Sequence, residues 1–170
     1  MRFSPTDLPG VFLIEPEMHV DERGSLARSY CVDEFAEAGI DFEVVQGNIS
    51  FNKFTGTVRG MHFQAAPHTV AKVVRWTSGA LFDVVVDLRP DSDTYGKWIG
   101  AELNADNRTA MYIPKGCAHG FQTLLDNTEV DYLMGERYVP EAAAGVRFDD
   151  PRIGIDWPLD VSSVSERDQN

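Results

Sequence analysis

The amino-acid sequence predicts one all-β domain, folded as a sandwich or a barrel. Strand-like apolar runs recur at short intervals, and turn-forming residues such as Gly56 and Gly79 separate them. Such a rhythm of short strands is typical of β-sandwiches and β-barrels. With 170 residues, of which 43% are hydrophobic and 25% charged, the chain is long enough to close a single core over residues 1–170.

The predicted elements follow this pattern along the chain. Seven strands are expected, at residues 42–51, 57–63, 70–76, 80–88, 98–103, 111–113 and 130–134. Only residues 33–38 are expected to form a helix, with Asp33 capping its first turn and Gly39 ending its last.

The charge balance excludes one class of partner. Lys and Arg number 15 against 27 Asp and Glu, so the net charge is -12 and a nucleic acid would be repelled over most of the surface. We therefore expect no nucleic-acid partner. A small anionic ligand remains compatible with this charge if basic side chains gather locally in a cleft.

The cysteines and the first residues indicate the compartment. Cys31 and Cys117 are far apart and have no CxxC spacing, which predicts two reduced thiols rather than a disulfide or a zinc site. Asp7 and two prolines interrupt residues 1–10, where a signal peptide needs an apolar run. No stretch reaches the length of a membrane span, so we expect a cytoplasmic protein without a membrane partner.

One predicted strand has a continuous polar face. In residues 45–52 polar and apolar side chains alternate, which places Gln46, Asn48, Ser50 and Asn52 on one side. This side either faces solvent, as in many antiparallel sheets, or lines the interior of a barrel.

Two charged residues interrupt otherwise apolar strands. Asp83 lies within residues 82–89, and Lys72 lies within residues 70–74. Because a buried charge needs a partner, an ion pair between Asp83 and Lys72 inside the barrel is a hypothesis that accounts for both.

Residues 113–121 contain a more specific signal. Pro114, Gly116 and His119 form the pattern P-x-G-x-x-H, which is the second signature of the cupin barrels. In that signature Pro and Gly shape a turn, and His points inward from the next strand. The fold class predicted is therefore a cupin, a double-stranded β-helix or jelly-roll barrel with short helices.

The other half of the cupin pattern lacks metal ligands. Residues 58–64 take the place of the first motif, but Gln64 stands where a metal-binding cupin has a second histidine, and no glutamate follows before Gly79. A transition metal generally takes about three or four firm protein ligands, whereas His62 and His119 supply two. We therefore expect a site without a metal and without a cofactor.

The motifs together resemble one family. The chain is similar to the dTDP-4-dehydrorhamnose 3,5-epimerases, metal-free sugar-nucleotide epimerases of the cupin superfamily, and the match runs in family order from near residue 9 to residue 168. Besides Tyr132, the matching segments are residues 21–24, 46–50, 59–64, 71–75, 82–89, 94–98, 113–121, 149–151, 155–158 and 165–168.

The resemblance implies an epimerase that inverts carbon 3, carbon 5 or both in a nucleotide-linked 4-keto-6-deoxyhexose. Such a reaction removes a proton next to a ketone and returns one from the opposite face. By the same resemblance His62 is the base, Lys72 stabilises the enolate oxygen and Tyr132 is the acid. Asp168 orients His62, which requires the C-terminal segment to fold back over the barrel mouth, and Asp83 lies close to Lys72.

The resemblance also implies how the substrate is bound. Arg59 and His119 match residues on the diphosphate side, and Gln46 and Asn48 match polar residues that line the cavity. Arg23 matches a residue that reaches the site from the neighbouring subunit, which implies a homodimer with sites built across its interface. These side chains supply the local cation cluster that an acidic protein needs for an anionic ligand.

One segment departs from the family pattern. The family has aromatic residues and a glutamate against the nucleotide after the segment that matches residues 21–24, whereas this chain has Ser-Leu-Ala-Arg at residues 25–28. Loss of stacking on one base removes about 1–3 kcal/mol. A single-site epimerase acting on another nucleotide sugar therefore stays open beside the thymidine default.

Two functions from other classes also stay open. A metal-dependent cupin oxygenase or isomerase would need His62, His119 and His68 to meet at one ion. A sugar-binding cupin without catalysis would keep the basic cluster and lose the acid-base pair, but the chain retains both His62 and Tyr132.

Overall fold

A computed structural model describes residues 1–104 and 107–169, which form two antiparallel sheets facing each other and a separate two-stranded hairpin. The strands are β1 (Arg2–Pro5), β2 (Phe12–Glu15), β3 (Met18–Asp21), β4 (Gly24–Ala27), β5 (Gln46–Asn52), β6 (Val58–Gln64), β7 (Lys72–Ser78), β8 (Ala80–Asp87), β9 (Trp98–Asn104), β10 (Ala110–Ile113), β11 (Cys117–Thr123), β12 (Thr128–Met134) and β13 (Ala143–Gly145). One α-helix, α1 (Val32–Glu37), and two short 3-10 helices, Pro140–Ala142 and Glu166–Gln169, complete the described elements.

The strand order confirms the all-β cupin prediction. The six-stranded sheet has the order β1-β2-β10-β7-β12-β5, and the five-stranded sheet has the order β13-β6-β11-β8-β9. β3 and β4 pair only with each other. From β5 to β13, successive strands lie in opposite sheets, except for β8 and β9, which form a hairpin in the same sheet. This alternation between sheets is typical of a jelly roll.

Apolar side chains from both sheets fill the space between them. Val74 and Val130 of the six-stranded sheet pack with Leu81, Val85 and Phe121 of the five-stranded sheet. This packing follows from the alternation along each strand, which directs every second side chain inward. The core occupies one part of the interior and leaves the other part to polar residues.

A second cluster covers the outer surface of the six-stranded sheet. The ring of Phe35, from α1, lies 5.8 Å from the ring of Phe42 and 6.3 Å from that of Tyr112. Phe35 is fully buried, so its truncation to alanine removes about 3–5 kcal/mol of stability. α1 therefore covers this face of the sheet and shields its apolar side chains from solvent.

The predicted cap of the helix was wrong. Cys31 is the N-cap residue and makes no side-chain cap hydrogen bond, whereas Asp33 lies within the first turn beside Glu34. Acidic side chains are favoured there by the exposed N–H groups of the helix end, which explains their presence without a capping role. Gly39 follows the helix with a φ of +77°, the left-handed conformation that ends a helix.

The predicted strands match the observed ones unevenly. The predicted strands 80–88 and 98–103 agree with β8 and β9 to within one residue, whereas β5 begins at Gln46 rather than at residue 42. The strand patterns did not predict β1 to β4, β11 or β13, and only the motif at residues 113–121 implied a strand at His119. All seven residues of β11 are buried, so this strand shows no alternation from which to predict it.

The polar face of β5 points into the interior. Asn52 is buried, whereas Ile49 and Phe51 on the opposite face are 72% and 56% exposed. β5 is the edge strand of the six-stranded sheet. Of the two alternatives, the lining of the barrel interior is therefore the one observed.

The C-terminal segment is tied to the barrel. Ser163 forms a parallel bridge with Thr57, and the side-chain amide of Gln122 bonds to both the N–H and the carbonyl of Leu159. These contacts bring the final 3-10 helix over β6. Cys31 and Cys117 are free thiols, as predicted.

Among the described helices, none is both long and apolar enough to cross a membrane.

Candidate active site

A cavity of about 330 Å³ lies between the two sheets, beside the edge strand β5. Its wall combines side chains of both sheets with the segment that follows β12 and with the C-terminal segment. The lining residues are Gln46, Asn48, His62, Phe63, Gln64, Val70, Lys72, Met134, Glu136, Tyr138, Ala143, Ala144 and Arg167.

His62 and Asp168 form a hydrogen-bonded pair at this cavity. Nε2 of His62 lies 2.6 Å from Oδ1 of Asp168, and the N–H of Gly60 donates to Oδ2 at 3.2 Å. Burial of Asp168 opposes its ionisation, but the hydrogen bonds from His62 and Gly60 outweigh it and lower the pKa of the carboxyl. The C-terminal segment thus brings an ionised carboxylate to the histidine, the contact that the family resemblance implied.

Gly60 permits this arrangement because no side chain fits at its position. Its φ is +124°, and an added Cβ would lie 2.5 Å from Cα of Gly120 and 2.8 Å from the carbonyl oxygen of His119. Only glycine allows β6 and β11 to approach so closely. His62 and His119 consequently face each other directly across the two strands.

His119 has its own carboxylate partner. Nε2 of His119 lies 2.7 Å from Oδ1 of Asp83, and both side chains are buried. Burial lowers the pKa of His119, and this effect exceeds the opposite influence of Asp83. The other oxygen of that carboxylate, Oδ2, is buried without a hydrogen-bond partner.

The predicted ion pair between Lys72 and Asp83 was wrong. Both residues are buried inside the barrel, but among the described residues Asp83 pairs with His119 and Lys72 takes part in no ion pair. Lys72 instead lines the cavity, where the charge of Asp83 acts on its ammonium through space. The sequence could not reveal this exchange of partners, because no motif specifies the register that places His119 beside Asp83.

The ammonium of Lys72 lies in the cavity wall but is almost fully removed from water. The residue is 5% exposed, and burial lowers the pKa of its ammonium to about 8, against the opposing attraction of Asp83. A substrate oxyanion would therefore meet a poorly hydrated cation there.

Tyr132 lies on β12, directly opposite Asn48 of β5. Residues paired in this way share one side of the sheet, so Tyr132 faces the interior beside the cavity. Its ring contacts that of His119 edge to face, with centroids 6.0 Å apart. Burial and the charge of Asp83 raise the pKa of the phenol, and Arg59 offsets only part of this.

The other predicted binding residues on this side are held by short hydrogen bonds. Nε of Arg59 donates to Oδ1 of Asn52 at 2.6 Å, which fixes the guanidinium near the interior. Nε2 of Gln46 donates to Oδ1 of Asn48 at 3.0 Å, and both amides line the cavity. The structure thus brings every predicted residue of the barrel body to one region.

Arg23 is the exception. It lies at the tip of the β3–β4 hairpin, its side chain is 84% exposed, and it pairs with Asp21 rather than with any cavity residue. Val20 and Leu26 on the same hairpin are 76% and 75% exposed. Within one chain, therefore, Arg23 does not reach the cavity.

Four polar residues of the cavity wall were not among the predicted site residues: Gln64, Glu136, Tyr138 and Arg167. Arg167 precedes Asp168 directly, and this adjacency was a usable signal. Glu136 and Tyr138 belong to a loop without periodicity, which gave no signal of its own.

The donor set does not suit a metal ion. In residues 1–104 and 107–169 no group of three or more His, Cys, Asp or Glu side chains is placed to hold one. His62 and His119 are each bonded to a separate carboxylate, and His68 is exposed. At the position of the missing third ligand, the amide of Gln64 bonds to backbone groups.

Comparison with known proteins points to one family. A family model described as dTDP-4-dehydrorhamnose 3,5-epimerase matches residues 5–170. The chain is 45% identical to the dTDP-4-dehydrorhamnose 3,5-epimerase of Methanothermobacter thermautotrophicus, over 99% of this chain and 92% of that protein. It is 43% identical to the dTDP-4-dehydrorhamnose 3-epimerase of Streptomyces niveus, over 100% of this chain and 82% of that protein. The crystal structure of dTDP-4-dehydrorhamnose 3,5-epimerase from Bacillus anthracis, with TDP and PPi bound, superposes with a TM-score of 0.96 at 37% identity, covering 99% of this chain and 96% of the other.

Proposed function

The chain belongs to the dTDP-4-dehydrorhamnose 3,5-epimerase family, and from its geometry we propose how its residues divide the reaction. It is an isomerase that epimerises a nucleotide-linked 4-keto-6-deoxyhexose. One observation supports the assignment of residues best: His62, bonded to Asp168, comes from the five-stranded sheet, and Tyr132 comes from the sheet opposite. A sugar ring held between the sheets has one group on each face.

His62 is the base. Because Asp168 occupies Nε2 of His62, the neutral imidazole carries its proton there and keeps a free lone pair on Nδ1. That lone pair takes the proton from the carbon next to the ketone, and its electron pair moves to the ketone oxygen as an enolate. The carboxylate of Asp168 then stabilises the imidazolium that has formed.

Lys72 stabilises the enolate. Its ammonium reaches the cavity from β7 and is almost fully removed from water. A cation aimed at the oxygen on which charge develops is worth a few kcal/mol in such a dry site. The enolate collapses when its carbon receives a proton.

Tyr132 supplies that proton from the opposite face, which inverts the carbon. The raised pKa of Tyr132 keeps its phenol protonated at physiological pH, so that the acid is available in each cycle. The imidazolium of His62 then releases its proton to solvent and the phenolate of Tyr132 takes one up, so that both groups are reset.

The nucleotide side is assigned to one cation and one buried imidazole. Arg59, held by Asn52, and His119 serve the diphosphate, while Gln46 and Asn48 contact the sugar from β5. The default nucleotide is dTDP, in keeping with the names of the relatives, although residues 25–28 lack the family's aromatic surface.

The chain acts as a homodimer in this proposal. Arg23 lies too far out on its hairpin to serve its own cavity, whereas a second copy can present it to the neighbouring site. The exposed apolar side chains of Val20 and Leu26 on the hairpin and of Ile49 and Phe51 on β5 offer surfaces for such a contact. With two free thiols, the protein is suited to the reducing cytoplasm.

The number of inverted carbons distinguishes two versions of the activity. The relative from Streptomyces niveus is named a 3-epimerase, whereas the one from Methanothermobacter is named a 3,5-epimerase. We propose inversion at both carbons, with the single-site reaction as the alternative.

One experiment tests these assignments. The protein is incubated with dTDP-4-keto-6-deoxyglucose in deuterium oxide, and the product mass is measured. Two incorporated deuterons indicate 3,5-epimerisation, one indicates a single-site epimerase, and none rules out this substrate. His62→Ala is expected to abolish incorporation.

A further inference from the structure

The segment from Glu136 to Val139, here termed the strap, closes one end of the cavity. It follows β12 of the six-stranded sheet and leads to β13 of the five-stranded sheet, so it crosses from one sheet to the other. Glu136 and Tyr138 of the strap line the cavity.

Two glutamines, one from each sheet, hold the strap in the middle. The N–H of Tyr138 donates to Oε1 of Gln46 at 3.1 Å, and the next N–H, that of Val139, donates to Oε1 of Gln64 at 2.8 Å. Consecutive backbone amides are thus anchored to opposite walls. The strap cannot shift toward either sheet without losing one of these bonds.

Gln64 also uses its donors on backbone carbonyls. Its Nε2 donates to the carbonyl of Arg137 at 3.2 Å and to that of His68 at 2.9 Å. The side chain is 7% exposed, and both amide hydrogens and the amide oxygen are engaged. Such a satisfied buried amide has little left to offer a ligand and strongly fixes the loops it joins.

We propose that Gln64 is a positioning residue, which fixes the strap so that Glu136 and Tyr138 form the wall that recognises the sugar ring. This inference rests on the proposed function of the cavity. Oε1 of Glu136 accepts from the N–H of Arg137 at 2.7 Å, which orients the carboxylate and leaves its second oxygen for a sugar hydroxyl. The ring of Tyr138 offers an apolar surface to the C–H face of a sugar.

The same contacts assign a second role to Gln46. Its Nε2 is bonded to Asn48 and its Oε1 to the strap, so it couples the strap to the polar face of β5. Gln46 therefore acts on the sugar through the strap and through Asn48 as well as by its own place in the wall.

Two substitutions of Gln64 separate positioning from general stability. Gln64→Leu removes all three bonds. Gln64→Glu keeps the acceptor for Val139 but turns a carboxylate toward two carbonyl oxygens, and a protonated glutamate regains one donor. Binding of dTDP-glucose, which lacks the ketone and does not react, is measured by calorimetry at pH 7.5 and at pH 5.5.

Both variants are expected to raise the Kd at pH 7.5 by about tenfold or more, since one or two net hydrogen bonds are lost. At pH 5.5 the Kd of Gln64→Glu should move back toward that of the natural protein, while that of Gln64→Leu should not. Hydrogen exchange on the free protein should show lost protection of the Tyr138 and Val139 amides in Gln64→Leu.

Asp126→Ala is the matched control. Asp126 accepts from the N–H and the hydroxyl of Thr55, both at 2.7 Å, and so clamps a different turn that does not line the cavity. Its loss should leave the Kd unchanged. An unaltered Kd and unaltered amide protection in Gln64→Leu would overturn the inference. Neither measurement uses turnover, so failure of the proposed reaction appears separately, as absent deuterium incorporation by the natural protein.

Discussion

Nε2 of His62 lies 2.6 Å from Oδ1 of Asp168, although 106 positions separate the two residues in the sequence. The contact joins β6 to the final 3-10 helix, and the N–H of Gly60 donates a hydrogen bond to the other oxygen of the carboxylate. It fixes the tautomer of the imidazole and so determines which nitrogen is free to accept a proton.

Replacing this carboxylate by its amide should slow the chemistry. Asp168→Asn keeps the shape of the side chain but loses the charge that stabilises the imidazolium, so we expect kcat to fall by about 10² to 10⁴-fold. KM should change by only a few fold, because Asp168 lies behind the base. Steady-state kinetics of the purified variant provide the measurement, and a kcat within threefold of the natural value would count against the pair.

Removal of the phenol should separate the two proton transfers. Tyr132→Phe retains the base, so deuterium should still enter the substrate while inverted product falls by about 100-fold or more. Mass spectrometry and NMR of the same reaction report both quantities. Tyr112→Phe, in the cluster around α1, serves as the control and should leave both unchanged. Full epimerase turnover by Tyr132→Phe would show that another group is the acid.

The activity should fall on the alkaline side as Lys72 loses its proton. Burial lowers the pKa of this ammonium to about 8, and the charged form is the one that stabilises the enolate. We therefore expect kcat to decline as pH rises through about 8. Lys72→Met should have a much lower kcat that does not decline in this range. Measuring kcat of both proteins from about pH 6.5 to about pH 9.5 would reveal the difference.

The same lysine should weaken the fold. Its folded pKa of about 8 lies below the unfolded value of about 10.4, so the unfolded chain binds the proton more tightly. The resulting loss of stability is absent above about pH 10.4, grows as the pH falls to about 8 and is complete below that. Lys72→Met should raise the free energy of unfolding at pH 7 by on the order of 3 kcal/mol. Urea unfolding at pH 7 measures this gain, and a loss of stability would contradict it.

Mixed dimers should test whether Arg23 acts across an interface. Arg23→Ala is expected to raise KM, and His62→Ala to abolish turnover. After the two variants exchange subunits, one site of each mixed dimer combines an intact His62 with an intact Arg23 from its neighbour. The mixed dimers should then show turnover with the KM of the natural protein. Recovery would not occur if Arg23 served its own chain.

Much of the fold followed from the sequence because several strands have regular patterns. β8 and β9 carry long apolar or alternating runs, and their bounds were predicted to within one residue. β11 gave no such signal, since its polar residues Gln122 and Thr123 are buried with backbone partners rather than facing water. Burial of satisfied polar groups is a property of the tertiary structure, which alternation along one strand does not encode.

The residues of the candidate site were proposed from motifs rather than from strand patterns. Motifs identified His62 and Tyr132 through family resemblance, and the structure brings both to the interior. The predicted partner of Asp83 was wrong because two basic side chains, Lys72 and His119, lie near this carboxylate. Proximity to Lys72 alone does not decide which of them binds it. His119 does so here, through a register between β11 and β8 that no sequence pattern specified.

Gly60 limits the routes by which this barrel can evolve. An added methyl group would lie 2.5 Å from Cα of Gly120, and the same residue donates to Asp168, so any substitution displaces a strand and a carboxylate at once. Leu26, on the exposed hairpin, has no such constraint. Libraries selected for a new sugar nucleotide should therefore collect changes on the hairpin and keep the glycine codon at position 60.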